Sequence, residues 1–114
     1  MRPMEIPTVT LDGVPDPLPE GLVVLDVREP VEWRQGHVED SLHIPLMELP
    51  QRFTELPAAA QLLVVCRVGS RSAQATGYLV QQGIEAVNLH GGLVQWEAAG
   101  RPLVSETEQA PRVI

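Results

Sequence analysis

A lone cysteine, Cys66, closes the apolar run Leu62-Leu63-Val64-Val65 and opens the segment Cys66-Arg67-Val68-Gly69-Ser70-Arg71-Ser72. The thiolate form of cysteine is the nucleophile, and its share at neutral pH rises when cations and N–H donors surround the sulfur. Arg67 and Arg71 place two cations in this segment. Gly69 permits a tight turn. A helical pattern follows directly, so backbone N–H groups and a helix N-terminus can both be aimed at the sulfur. The same cradle would hold a persulfide anion, formed once the cysteine has taken up a second sulfur atom. An inert core cysteine is the common alternative, but it needs neither the glycine nor the two arginines that follow.

The elements that must position this loop are readable from apolar patterning. Leu22-Val23-Val24-Leu25-Asp26-Val27, Leu62-Leu63-Val64-Val65 and Ala86-Val87-Asn88-Leu89 are continuous rather than alternating runs, as in strands covered on both faces. Thr8–Leu11 and Leu42–Ile44 are shorter strand candidates. A helix is predicted over residues 72–82, with Gly83 as its stop, and another from Pro30 to Gly36. Two more are predicted, from Leu49 to Leu56, bounded by Pro50 and Pro57, and from Leu93 to Ala99, between Gly91-Gly92 and Gly100. Strands alternating with helices imply an α/β fold, a parallel sheet with helices on both faces. Ligands in such sheets bind outside the carboxyl ends of the strands, which is where the Cys66 loop falls. Residues 1–114 read as one domain, with an irregular N-terminal segment over 1–20. The tail over 101–114 has no clear period and reads as extended or mobile.

Composition narrows the function classes. With one cysteine no internal disulfide can form, which excludes a disulfide-stapled scaffold. No signal-peptide pattern opens the chain, and no segment approaches the ~20 apolar residues of a membrane span. A reducing cytoplasm is the expected setting. The net charge of −7 argues against nucleic acid as a partner. All eight positive charges are arginine. A Schiff-base lysine and a Walker A phosphate loop are therefore both excluded.

The motifs together resemble the rhodanese family. Asp26-Val27-Arg28-Glu29 resembles its Asp-Val-Arg motif. Gly36-His37-Val38 with Leu42-His43-Ile44-Pro45 is similar to its Gly-His-Ile…Asn-Ile-Pro segment, and Cys66 to Ser72 to its Cys-x-x-Gly-x-Arg-Ser loop. Gly91-Gly92-Leu93-Val94-Gln95-Trp96 resembles its closing Gly-Gly-x-x-x-Trp. The resemblance implies a three-layer fold around a parallel sheet of about five strands. It also implies a sulfurtransferase in which Cys66 carries sulfur from a small anionic donor such as thiosulfate to a thiophilic acceptor. Cys66 and Arg71 are separated by four residues, the spacing of the family's sulfurtransferases; phosphatases of the same fold have one more. The shorter ring suits one sulfur atom rather than an oxyanion. Neither cofactor nor metal is implied.

The resemblance makes Arg67, Val68, Gly69, Ser70 and Arg71 the substrate-binding loop. Arg67 is expected to meet the donor anion and Arg71 to anchor the loop. Asp26, Arg28 and Ser72 are expected as loop support: Asp26 through loop N–H groups, Arg28 through an ion pair with Glu32 or Glu29. His37 and His43 lack metal-ligand spacing with Cys66, and a turn-stabilising role suits His37 better. Trp33 and Trp96 read as packing residues. Asp40-Ser41 replaces the family's Gly-Ala, in a turn that Asp tolerates. Two alternatives stand beside the enzyme: a sulfur-carrier or interaction module served by a partner protein, and a phosphatase or arsenate reductase.

Overall fold

The computed structural model describes residues 5–58 and 60–114. Five strands form one parallel sheet: β1 (Thr8–Val9), β2 (Leu22–Asp26), β3 (Leu42–His43), β4 (Gln61–Val65) and β5 (Ala86–Leu89), in the order β1-β5-β4-β2-β3. The helices are α1 (Pro30–Gln35), α2 (Leu49–Arg52), α3 (Ser70–Gln81) and α4 (Gly92–Ala98). The expected α/β class, strand number and parallel pairing are all present.

Alternation along β4 divides the core. Leu62, Val64 and Cys66 join Leu49 of α2 and Ala75 and Leu79 of α3 in one buried cluster. Leu63 and Val65 face the other way, with Leu93 and Trp96 of α4. Because successive strand residues point to opposite faces, the cysteine is committed to the α3 face by the same period that buries Leu62 and Val64.

Helix boundaries differ from expectation for identifiable reasons. Helix α3 begins at Ser70, two residues earlier than predicted, because Gly69 turns the chain at φ 106°. Its end carries a full Schellman pair: the Ile84 N–H donates to the Leu79 carbonyl and the Gly83 N–H to that of Val80. The helix expected over 49–56 is α-helical only to Arg52 and continues as a 3-10 turn over Phe53–Glu55. Pro57 biases Leu56 to its extended conformation.

The C-terminal tail is extended but docked. Val104 bridges His37 in antiparallel fashion, the Arg112 N–H donates to the Gln35 carbonyl, and the Val113 N–H donates to Glu97. Arg112 lies so close to Gly36 that an added Cβ there would sit 2.4 Å from its carbonyl oxygen. Asp40 holds φ 63° in its turn, a conformation its short polar side chain tolerates.

Arg28 is fully buried, and its partner corrects the sequence expectation. Its guanidinium pairs with the buried Asp26 carboxylate at 2.7 Å, not with the carboxylate of Glu29 or Glu32. The Asp26 oxygens accept from Nε and the backbone N–H of Arg28 as well. The guanidinium also donates to the carbonyls of Gly36 and Glu32, and so ties β2 to α1. The chain bends at Arg28 just past the end of β2, so that its backbone N–H and its guanidinium both reach back to the Asp26 carboxylate. A carboxylate sealed in the sheet needs a cation within reach, which Glu29 on the surface does not. Replacing Arg28 by Met strands the Asp26 charge, and urea unfolding is expected to show a loss of about 3–5 kcal/mol. The exposed Arg52→Met, which breaks only surface pairs, should leave the midpoint essentially unmoved.

Candidate active site

Cys66 is a free, fully buried cysteine at the carboxyl end of the central strand β4. Its Sγ accepts from the Gly69 N–H at 3.1 Å and lies 3.3 Å from the Ser72 hydroxyl. The backbone N–H groups of Ser72 and Val68 face it too. Burial pushes the thiol pKa up, and the Ser72 hydroxyl with the three N–H groups outweighs it, so the thiol titrates below its ordinary value. The sulfur thus sits in a concave nest of N–H donors at the N-terminus of α3, a geometry that stabilises an anion.

The loop's carbonyls face elsewhere. The Leu93 N–H donates to the Cys66 carbonyl at 2.9 Å, and the Val94 N–H to the Arg67 carbonyl at 3.0 Å. These are first-turn donors of α4, which have no partner within their own helix. The approach requires glycine: at Gly92 (φ 64°) a Cβ would lie 2.4 Å from the Arg67 oxygen. Gly91-Gly92, read from sequence as a turn before a helix, is therefore also the contact that closes the loop.

Arg71 forms a two-pronged pair with Glu32 of α1, at 2.7 and 2.9 Å. Glu32 also accepts from the Glu29 N–H, so one carboxylate clamps the start of α1 to the start of α3. The Arg71 hydrogen bonds hold the Glu32 carboxyl below its ordinary range, against an opposing push from burial. The clamp therefore persists above the ordinary glutamate range and is lost as pH falls through the lowered value. Glu32 as an active-loop partner was not legible in the sequence, where it stood only as a neighbour of Arg28. Arg67 is exposed, with Nε donating to the main-chain oxygen of Ile114 at 3.2 Å. Val68 is exposed at the tip of the loop.

Of the expected site residues, Cys66 to Ser72 form one compact loop and helix start. Asp26 and Arg28 flank it from the adjacent strand β2, where Val27 N–H donates to the Val65 carbonyl. His37 and His43 lie apart from the sulfur and brace Trp33. His37 Nδ1 donates to the Trp33 carbonyl and His43 Nε2 to the Arg28 carbonyl, and both rings stack on the indole. Among the described residues no group of three or more His, Cys, Asp or Glu side chains could hold a metal, and no helix is long and apolar enough to cross a membrane. A cavity of about 590 Å³ lies at the opposite end of the sheet, between Phe53–Pro57 and Gln82–Glu85. It takes no part in this site.

Among the described residues the Ser72 hydroxyl is the one side-chain group bonded to the sulfur. Ser72→Ala is expected to raise the midpoint of Cys66 alkylation by iodoacetamide, measured as rate against pH, because burial then meets less opposition. An unchanged midpoint would mean that the hydroxyl does not stabilise the thiolate.

Comparison with known proteins places this geometry in a family. The chain is 40 % identical to a sulfurtransferase of Allochromatium vinosum over 75 % of its own length and 81 % of that protein's. It is 37 % identical to the thiosulfate sulfurtransferase GlpE of Ectopseudomonas mendocina, over 78 % and 80 % of the two chains. A rhodanese-related protein from Thermoplasma volcanium superposes with a TM-score of 0.81 at 33 % identity, covering 86 % of this chain and 97 % of that one. The family model of the rhodanese-like domain matches residues 11–99, from the turn after β1 to the end of α4, and the chain belongs to that family.

Proposed function

We propose that the chain is a sulfurtransferase that moves sulfane sulfur from thiosulfate or a persulfide donor to a thiophilic acceptor through a persulfide on Cys66. The observation that carries this reading is the fully buried Sγ inside a short ring of N–H donors. Such a ring supplies the hydrogen bonds that the negative charge of a persulfide needs. The name of the relative from Ectopseudomonas mendocina supports thiosulfate as a donor.

The chemistry is two displacements at sulfur. The Cys66 thiolate attacks the outer sulfur of thiosulfate, the S–S bond of the donor breaks, and sulfite leaves with its electron pair. A Cys66 persulfide remains in the nest. An acceptor nucleophile then attacks the outer sulfur and the Cys66 thiolate is regenerated. One S–S bond is exchanged for another in the first step, so no external oxidant enters. Arg67, exposed at the mouth, attracts the donor anion. Arg71 is held by Glu32 and acts as the anchor of the loop.

A carrier serving a partner protein would use the same persulfide and differ only in what loads it. Incubation with thiosulfate followed by intact-protein mass spectrometry is expected to show the gain of one sulfur atom. Cyanide should remove it, and Cys66→Ser should never acquire it. Failure of every sulfane donor, or turnover of an aryl phosphate that Cys66→Ser abolishes, would overturn the sulfur-transfer reading.

A further inference from the structure

Residues 101–114 lie beyond residue 99, where the match to the family ends, yet they return to the mouth of the site. The Trp96 indole N–H donates to the Pro102 carbonyl, and Leu103 and Val113 pack against the core cluster that holds Leu93 and Trp96. The Glu106 N–H donates to the Arg34 carbonyl at 2.9 Å. Further on, the Arg112 N–H meets the Gln35 carbonyl and the Val113 N–H meets the Glu97 carboxylate, at 3.0 and 2.9 Å. Ile114 is thereby delivered to the Cys66 loop, where its main-chain oxygen accepts from Arg67 Nε at 3.2 Å.

Among the described residues this is the one hydrogen bond that the Arg67 guanidinium makes. An arginine side chain carries its N–H donors in a planar fork that matches an oxyanion. With Nε on Ile114, the N–H groups of the two terminal nitrogens remain for a donor anion. The tail therefore does not have to leave for the anion to bind. A long exposed side chain gives up most of its rotamer freedom on gripping a ligand, and arginine is among the costliest. Held by Ile114, Arg67 has given up part of that freedom beforehand, which favours binding. A lone exposed hydrogen bond is weak. This one is supported because Val113 is fixed independently, by its N–H on Glu97 and its side chain in the core.

We infer that the tail is a positioning element for donor binding: Glu97 and Val113 fix its end, and the Ile114 main-chain oxygen orients the Arg67 guanidinium for an oxyanion sulfur donor. The inference rests on the sulfur-transfer reading, in which Arg67 meets that donor. Two positions act on the tail and not on the loop. Glu97 is exposed on α4, and loss of its carboxylate frees the Val113 N–H. Gly36 is buried against the tail, where a Cβ would lie 2.4 Å from the Arg112 carbonyl oxygen and 2.7 Å from its nitrogen. Its φ of 179° is open to any residue, so alanine there disturbs the tail rather than its own backbone.

The test is steady-state sulfur transfer from thiosulfate to cyanide by the full chain, with kcat and the donor KM measured separately. Glu97→Ala and Gly36→Ala are each expected to raise the thiosulfate KM about fivefold, part of the cost of ordering an arginine side chain. The split expected for lost donor binding leaves kcat unchanged. Glu97→Gln, whose amide oxygen can still accept from Val113, should keep the wild-type KM. In an Arg67→Gln background Glu97→Ala should add nothing, because the tail acts through that guanidinium. NMR relaxation of labelled arginine should find the Arg67 Nε–H rigid in the wild type and mobile in Glu97→Ala. Glu97 lies on the surface, so its variants decide the matter if Gly36→Ala fails to fold. An unchanged KM in Glu97→Ala, an equal rise without Arg67, or an Nε–H as mobile in the wild type as in the variant would overturn the inference. A fall in KM would do so too, by making the tail an obstacle to the donor. Loading of Cys66 from polysulfide but never from thiosulfate would keep the sulfur chemistry and overturn the positioning role. Failure of every sulfane donor would remove both.

Discussion

The arrangement around Cys66 depends on where the carbonyls of its loop are sent. A chain segment that turns successive N–H groups toward one point must turn its carbonyls away, and buried carbonyls need donors. Here the donors are the Leu93 and Val94 N–H groups, which α4 cannot satisfy internally. Two helix N-termini therefore meet at one loop. That of α3 faces the sulfur, and that of α4 holds the outward side of the backbone. Without the second, the first would have no fixed concavity to complete.

Two ion pairs frame this unit, and they differ in kind. Asp26–Arg28 is buried, with side-chain exposures of 1 and 0 %, and both carboxylate oxygens accept hydrogen bonds from Arg28. A charge stranded there is costly, which makes the pair a condition of folding rather than a gain from it. Glu32–Arg71 is partly open to solvent, so its Coulomb energy is screened and its value lies in geometry. It joins α1 and α3 across the mouth and keeps the guanidinium in one place. Charge in the sheet fixes β2 relative to α1, and charge at the rim fixes the rim.

The sequence made the fold legible where the signal was local. Continuous apolar runs identified β2, β4 and β5, and the cysteine between such a run and a helical pattern located the candidate site. Period two also decided the face on which Cys66 lies. What stayed hidden depended on contacts between distant segments. Arg28 had three acidic residues within four positions, and only burial selects Asp26 among them. Glu32 and Arg71 are 39 residues apart, and neither has a pattern that names the other. Gly92 announced a turn, but the carbonyl that its missing Cβ admits belongs to Arg67, a full strand–helix unit earlier. The tail lacked periodicity because it is held by backbone hydrogen bonds to Gln35 and His37, which leave no hydrophobic rhythm to read.

The closure of the loop by Leu93 and Val94 has a consequence for the order of synthesis. The chain emerges from the ribosome amino end first, so β4, Cys66 and α3 are exposed before the donors that shape the loop exist. Until α4 has been made, the loop backbone lacks its outer restraint and the sulfur lacks a fixed nest. The sulfur reaches its folded surroundings only once the last helix and its first-turn donors have been made.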